Sequence, residues 1–338
     1  MNHLLTIGDL EPDTIEQILE TSLHLQQHPQ PLLTGKNIGF VFEKPSLRTK
    51  VGTEVAINQL GGNVVKIEAD LLLANGKAVP FTCRESLYDA MMNVSQWCDA
   101  IFARVYSHNT LEKMKEYGTI PIVNALCNLH HPMQALADLL TIKENLGHDS
   151  NVKIAFVGDA NNVAFSLIEI ALIMGYTISF GGPQSYFWSD DKLSYFNLLS
   201  VEYGGTFLPT TDPAEAVKDA DIIYTDTFIS MGEEHLYDEK IRHFQPYQVN
   251  EQLFSGAKST TGFMHCLPAH RGIEVTDGVI DHNNSWIYQQ AKNRMVVSKG
   301  VFSLLLGQNQ DQSISNSINK SSASNGIGTA SNAFTKSN

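Results

Sequence analysis

Residues 37–50 read Asn37-Ile38-Gly39-Phe40-Val41-Phe42-Glu43-Lys44-Pro45-Ser46-Leu47-Arg48-Thr49-Lys50. The first six form a short, nearly apolar run, the pattern of a strand buried on both faces. A polar, basic turn follows at once, and then a segment of helical character that runs to Gly61-Gly62. Strand, turn and helix in that order make half of a βαβ unit, so a parallel sheet is expected. Ser46 stands at the N-cap position. Free backbone N–H groups and the positive end of the helix dipole converge there, and Arg48, Thr49 and Lys50 add donors, which suits a phosphate. Arginine can grip such a group through two parallel bonds. On these residues alone, an ordinary cap carrying surface cations reads equally well.

The same alternation continues outward. Ile15, Ile18, Leu19 and Leu23 have helical spacing upstream, and further strands are expected at 63–68, 100–105, 120–125, 152–158, 177–180, 206–209, 221–226 and 262–267. A long helical pattern from Pro132 to Leu146, ending at Gly147, stands midway and suits a connection between two sheets. The expectation is an α/β protein of two domains, each a parallel sheet flanked by helices. The first is placed at 1–147 and completed by a C-terminal helix at 289–306, and the second at 148–288. Ligands in such sheets sit beyond the C-terminal strand ends, so polar residues just after strands are the ones to weigh.

A chain of 338 residues, 43% of them hydrophobic, is long enough for two such cores. No run approaches the roughly 18 apolar residues of a membrane span, and no basic-then-hydrophobic leader opens the chain, so a cytoplasmic location is expected. Cys83, Cys98, Cys127 and Cys266 include no CxxC pair and are expected as free thiols. The net charge of −13 argues against a nucleic-acid partner, which needs a basic face. Residues 308–338 are rich in Ser, Asn and Gly and poor in large apolar side chains, as in a disordered tail without catalytic role.

Three more places could carry chemistry. Arg104 closes an apolar run before Tyr106-Ser107-His108, where the plain alternative is a solvated rim residue. In His130-His131-Pro132-Met133-Gln134, proline at the first helical turn would aim His131 and Gln134 into one crevice. Paired histidines suggest metal, but no Cys, His or carboxylate partners stand at ligand spacing. The third place comprises Gly158-Asp159-Ala160-Asn161-Asn162, Asp226-Thr227-Phe228-Ile229-Ser230-Met231-Gly232 and His265-Cys266-Leu267-Pro268-Ala269-His270-Arg271-Gly272. G-x-G-x-x-G is absent, so no nucleotide cofactor is implied. A thiol nucleophile at Cys266 is the weaker reading, because adjacent His265 should face the other side of its strand.

Taken in order, these segments closely resemble the ornithine carbamoyltransferases over residues 3–306. The family's F-E-K-P-S-T-R-T-R stands here as Phe42 to Lys50 and its H-P-C-Q-A-L-A-D as His131 to Asp138, while H-C-L-P-A-H-R-G is intact at His265 to Gly272. The resemblance implies transfer of the carbamoyl group of carbamoyl phosphate to the side-chain amine of L-ornithine, giving citrulline and phosphate. That reaction belongs to arginine metabolism, and one site serves synthesis and breakdown alike. Ser46, Leu47, Arg48, Thr49, Arg104, His131, Gln134, Cys266, Leu267 and Arg294 would surround carbamoyl phosphate, and Asn162, Asp226, Ser230 and Met231 would hold ornithine. A homotrimer with sites near its interfaces is implied too. Three departures stand out: Leu47 replaces a threonine, Lys50 and Met133 replace Arg and Cys, and 68–84 lacks the His or Gln of a loop that reaches a neighbouring site. Leu47 is similar to relatives that use acylated ornithine, so those or putrescine remain alternative substrates, as does a weakly catalytic binding role.

The transfer needs a neutral amine, a stabilised oxyanion and a neutralised phosphate, and no metal or organic cofactor. Arg48, Thr49 and Arg104 would hold phosphate, and Arg104 and His131 would donate to the carbonyl oxygen. Gln134 and the carbonyls of Cys266 and Leu267 would accept from the carbamoyl NH₂. Asp226 would orient the amine and take its proton, with Cys266 nearby; a simple turn cap is the alternative.

Overall fold

The computed structural model describes residues 1–73, 85–147, 151–229 and 233–307. Residues 74–84 of the divergent segment, Ser230 and Met231, Cys83 and the 308–338 tail lie outside that description.

Nine strands are present among the described residues. β1 (Asn37–Phe42), β2 (Asn63–Ile67), β3 (Ala100–Arg104) and β4 (Ile122–Leu126) form one sheet in the order β2-β1-β3-β4. β5 (Lys153–Val157), β6 (Thr177–Gly181), β7 (Thr206–Thr210), β8 (Ile222–Thr225) and β9 (Gly262–His265) form another, ordered β7-β6-β5-β8-β9. Every pairing is parallel, as the continuous apolar runs require. The interior strands are buried along nearly their whole length, whereas edge strands β2 and β7 leave Val65 and Leu208 exposed.

In each sheet the chain runs outward from the first strand and then crosses back, from β2 to β3 past β1 and from β7 to β8 past β5. The crevices at these reversals lie between β1 and β3 and between β5 and β8, where open α/β sheets bind ligands. Glu43, Val105, Gly158 and Asp226 are the first residues beyond those four strands, so the candidate segments converge by topology.

The helix Pro132–Leu146 matches its expected bounds, with Gly147 at φ 79° ending it. The last helix is Ile287–Leu306, two residues longer at its start than expected. Its entry is set by tertiary contact: Ser285 bridges to Phe263, and the Trp286 ring lies where a Cβ on Gly262 would stand, 2.3 Å away. This helix packs on Pro12–Gln27, Leu47–Gln59 and Pro132–Leu146, and Phe302 meets Phe102 of β3 edge-on at 5.9 Å. One apolar core continues from Phe40, Phe102 and Phe302 through Leu136 and Leu140 to Phe156 and Phe180 of the second sheet.

Candidate active site

A cavity of about 590 Å³ opens between the C-terminal ends of the two sheets. Ser46, Leu47, Arg48, Thr49, Arg104, His131, Gln134, Asn162, Asp226, Cys266, Leu267 and Arg294 all line it. Ser230 and Met231 lie outside the described residues.

One wall is cationic. Ser46 is extended at φ −151°, and the first bond of the Leu47–Gln59 helix runs from Lys50 N to Ser46 O at 3.2 Å. The N–H groups of Leu47, Arg48 and Thr49 therefore have no acceptor within the helix. Ser46 holds the N-cap position, but its side chain makes no cap bond, which corrects the simple capping role. Leu47 is 74% exposed, so its aliphatic side chain adds contact area where threonine would offer a hydroxyl.

Arg104 ends β3 where the register against β4 slips between Ala103 and Arg104. Such an irregularity re-aims a side chain. Arg104 Nε is buried without a hydrogen-bond partner, so the rim-residue alternative fails. Arg294 comes from the last helix and donates from Nη1 to Gln134 Oε1 at 2.5 Å and from Nη2 to Thr49 Oγ1 at 2.8 Å. Burial lowers both arginines, Arg294 to about 10, with repulsion from Arg104 adding at Arg294 and repulsion from Arg48 adding at Arg104. Both stay charged at neutral pH. Like charges gathered in a desolvated corner are a standing cost that an anion would offset.

His131 is buried, its backbone N–H donates to Ser166 Oγ at 2.9 Å, and its ring Nδ1 has no partner. Burial, reinforced by Arg294 and Arg104, holds the imidazole well below 6.5. A neutral ring has one N–H to donate and one nitrogen to accept.

The opposite wall centres on a carboxylate. Gly158 at φ 145° lets the chain leave β5 by a turn that few side chains permit. Asn161 follows, and its Oδ1 caps the Asn162–Ile173 helix by accepting from Val163 N and Ala164 N, both at 3.0 Å. Its Nδ2 donates to Asp226 Oδ2 at 2.8 Å, and Cys266 Sγ donates to Asp226 Oδ1 at 3.0 Å. Asp226 is thus a hub rather than a turn cap. Burial first, and Asp226 second, push the Cys266 thiol well above its ordinary range, so a thiolate nucleophile is disfavoured. Asn162 spends its own amide N–H on Cys127 O at 2.6 Å, joining the two units.

His265 does not turn fully away from Cys266, since a ring nitrogen lies within 4.8 Å of the sulfur, but its ring is engaged by other groups. Its Nε2 lies 3.4 Å from buried Glu274, while Nδ1 accepts from Leu267 N at 2.9 Å. That bond holds Leu267 at φ 59°, a left-handed conformation that costs a leucine roughly 1–2 kcal/mol. Asp226, His265 and Cys266 bring ligand-capable atoms within 4.8 Å of one another, but these hydrogen bonds already engage all three.

Sequence reasoning placed Asn161 in a candidate segment but gave it no role, although it carries the legible cap signature of a polar residue before an apolar run. Thr227 and His270 also stood in candidate segments without a role; their Oγ1 and Nδ1 meet at 3.3 Å in the cavity wall, a pairing with no local signal.

Comparison with known proteins agrees with this geometry. Residues 2–144 match the aspartate/ornithine carbamoyltransferase carbamoyl-P binding domain, and residues 150–305 match the Asp/Orn binding domain of the same family. An ornithine carbamoyltransferase of Pyrococcus abyssi is 42% identical over 310 residues, 90% of this chain and 95% of that one. One from Hyperthermus butylicus is 43% identical over 311 residues, covering 90% and 96%. The solved ornithine carbamoyltransferase of Pyrococcus furiosus superposes with a TM-score of 0.85 at 40% identity, covering 91% of this chain and 98% of that one. With both domain models matched in order and the two sheets meeting at one polar cavity, this chain belongs to the aspartate/ornithine carbamoyltransferase family.

Proposed function

We propose that the chain is an ornithine carbamoyltransferase, moving the carbamoyl group of carbamoyl phosphate onto the side-chain amine of L-ornithine to give citrulline and phosphate. The observation that carries this reading is the polarity of the cavity, with Arg48, Arg104 and Arg294 on one wall and Asp226 on the other. An anionic donor and a cationic acceptor complement those walls, whereas aspartate would bring its side-chain carboxylate to Asp226.

In this reading the unit 1–147, completed by the last helix, holds carbamoyl phosphate, and 148–288 holds ornithine. The N–H groups at Ser46, Leu47, Arg48 and Thr49 with the arginine side chains bind the phosphate. Arg104 and the neutral His131 donate to the carbonyl oxygen as it gains charge; one such donor is worth ~10²–10³ in rate. Gln134 and the carbonyls of Cys266 and Leu267 accept from the carbamoyl NH₂. Ornithine is held by Asn162, Asp226, Ser230 and Met231. Its amine, with a pKa of about 10.4 like lysine, is oriented and deprotonated beside Asp226, with Cys266 as a neutral neighbour.

We extend the proposal to a cytoplasmic homotrimer acting in arginine metabolism. Tyr88, Met92 and Trp97 on the Leu87–Trp97 helix are exposed large apolar side chains of the first unit and support assembly through it. No helix among the described residues is long and apolar enough to cross a membrane.

Citrulline formation by the purified protein, with a panel of ornithine, N-acetylornithine, putrescine and aspartate, tests the assignment. Ornithine is expected to lead by well over tenfold. A preference for putrescine or the acylated amine, the substrates that Leu47 favours, would move the assignment to a sister transferase.

A further inference from the structure

Asp138 lies one helical turn beyond Gln134 on Pro132–Leu146 and is fully buried. Its Oδ1 accepts from Gln134 Nε2 at 2.7 Å and from Gln290 Nε2 at 2.7 Å, and Oδ2 is buried without a partner. Gln290 also donates to Tyr224 OH at 2.9 Å and accepts the backbone N–H of His265 at 3.0 Å. At the far end of the Gln134 amide, Oε1 accepts from Arg294 at 2.5 Å.

A glutamine amide is nearly symmetric in shape, so its neighbours decide which end faces where. Here both neighbours agree. A carboxylate selects the NH₂ end and a guanidinium selects the oxygen. Reversal would replace two charge-assisted bonds with two repulsive contacts. Burying a carboxylate without a cation in direct contact is costly, and an apolar residue would fill the space more cheaply if packing were the only need.

We propose that Asp138 is a positioning residue for the transfer, locking Gln134 with its oxygen toward the carbamoyl NH₂ and, through Gln290, setting the His265 backbone that leads into the Cys266 and Leu267 carbonyls. One carboxylate then orients all the acceptors by which the site tells an NH₂ from a methyl group. This rests on the proposed role of Gln134. Burial pushes Asp138 up to about 7, against the pull of its two amide donors and Arg294. Arg294 on the last helix, Tyr224 on β8 and Cys266 after β9 are the ionisable groups that face it.

The test compares wild type, Asp138→Asn and Asp138→Leu for carbamoyl phosphate KM and for inhibition by acetyl phosphate, which carries a methyl in place of the NH₂, and by inorganic phosphate. Asp138→Leu is expected to weaken carbamoyl phosphate roughly 10- to 100-fold, the effect of freeing or unpairing a buried donor, and to leave both inhibitors within about threefold. Asp138→Asn keeps an oxygen acceptor and should restore most of the loss. Its KM should also lack the rise expected of wild type below pH 7, where the Asp138 carboxylate takes up a proton. Equal weakening of all three ligands, unchanged carbamoyl phosphate KM, or no rescue by asparagine would each overturn the proposal. Should Asp138→Leu fail to fold, the pH profile of Asp138→Asn decides, and a profile like wild type's counts against it. Absence of citrulline formation by wild type would instead mark failure of the underlying assignment.

Discussion

The Cys266 thiol donates to Asp226 Oδ1 at 3.0 Å, while Asn161 donates to Oδ2 of the same carboxylate at 2.8 Å. A carboxylate held from both sides has a fixed direction, and a thiol committed as a donor remains protonated. Iodoacetamide at pH 7 should therefore leave Cys266 unlabelled while a free thiol is consumed. Cys266→Ser, which keeps an O–H for Asp226, should retain turnover within about tenfold, and Cys266→Ala should lose more. Peptide mapping that found Cys266 labelled ahead of the control would contradict the neutral thiol.

Arg48→Ala and Arg104→Ala should each reduce turnover by at least ~10²–10³, the usual effect of removing a donor aimed at developing charge. Both side chains face the cavity rather than the core, so circular dichroism spectra should match wild type. Near-normal turnover by either folded variant would remove it from the phosphate wall.

His131 should stay neutral across the working range. Its folded value lies below 6.5, so the unfolded chain takes up this proton first as pH falls. The resulting stability is present above the unfolded value of about 6.5 and is lost below it. The His131 ring resonance should not titrate between pH 8 and 6 in NMR. The melting temperature of His131→Asn should also fall less than wild type's between pH 7 and 5. A ring titrating near 6.5 would show that it is not desolvated beside the arginines.

Asp226→Asn keeps size and removes charge on the ornithine side alone. Calorimetry should find carbamoyl phosphate binding within a fewfold of wild type, with ornithine affinity and turnover sharply reduced. The residual rate should rise more steeply with pH, since amine deprotonation is unassisted. If both substrates weakened equally, the division of the cavity into two walls would be wrong.

All nine strands among the described residues were legible: seven are short apolar runs, because strands buried on both faces need no outside information to declare themselves, while the partly exposed edge strands β2 and β7 followed from the alternation of strand and helix. The segments that follow them carry family motifs, and strand ends are where open sheets bind ligands. What the tertiary structure decided is direction and cost. No local pattern says that Arg104, at a strand end, buries its Nε beside arginines from two helices, or that the serine at an N-cap leaves its helix uncapped. Nor does it say which end of the Gln134 amide faces the cavity, because that follows from Asp138 one turn away and from Arg294, which the chain supplies 160 residues later. Periodicity and capping are properties of neighbours in sequence. Desolvation and hydrogen-bond direction belong to neighbours in space, and these tune the site.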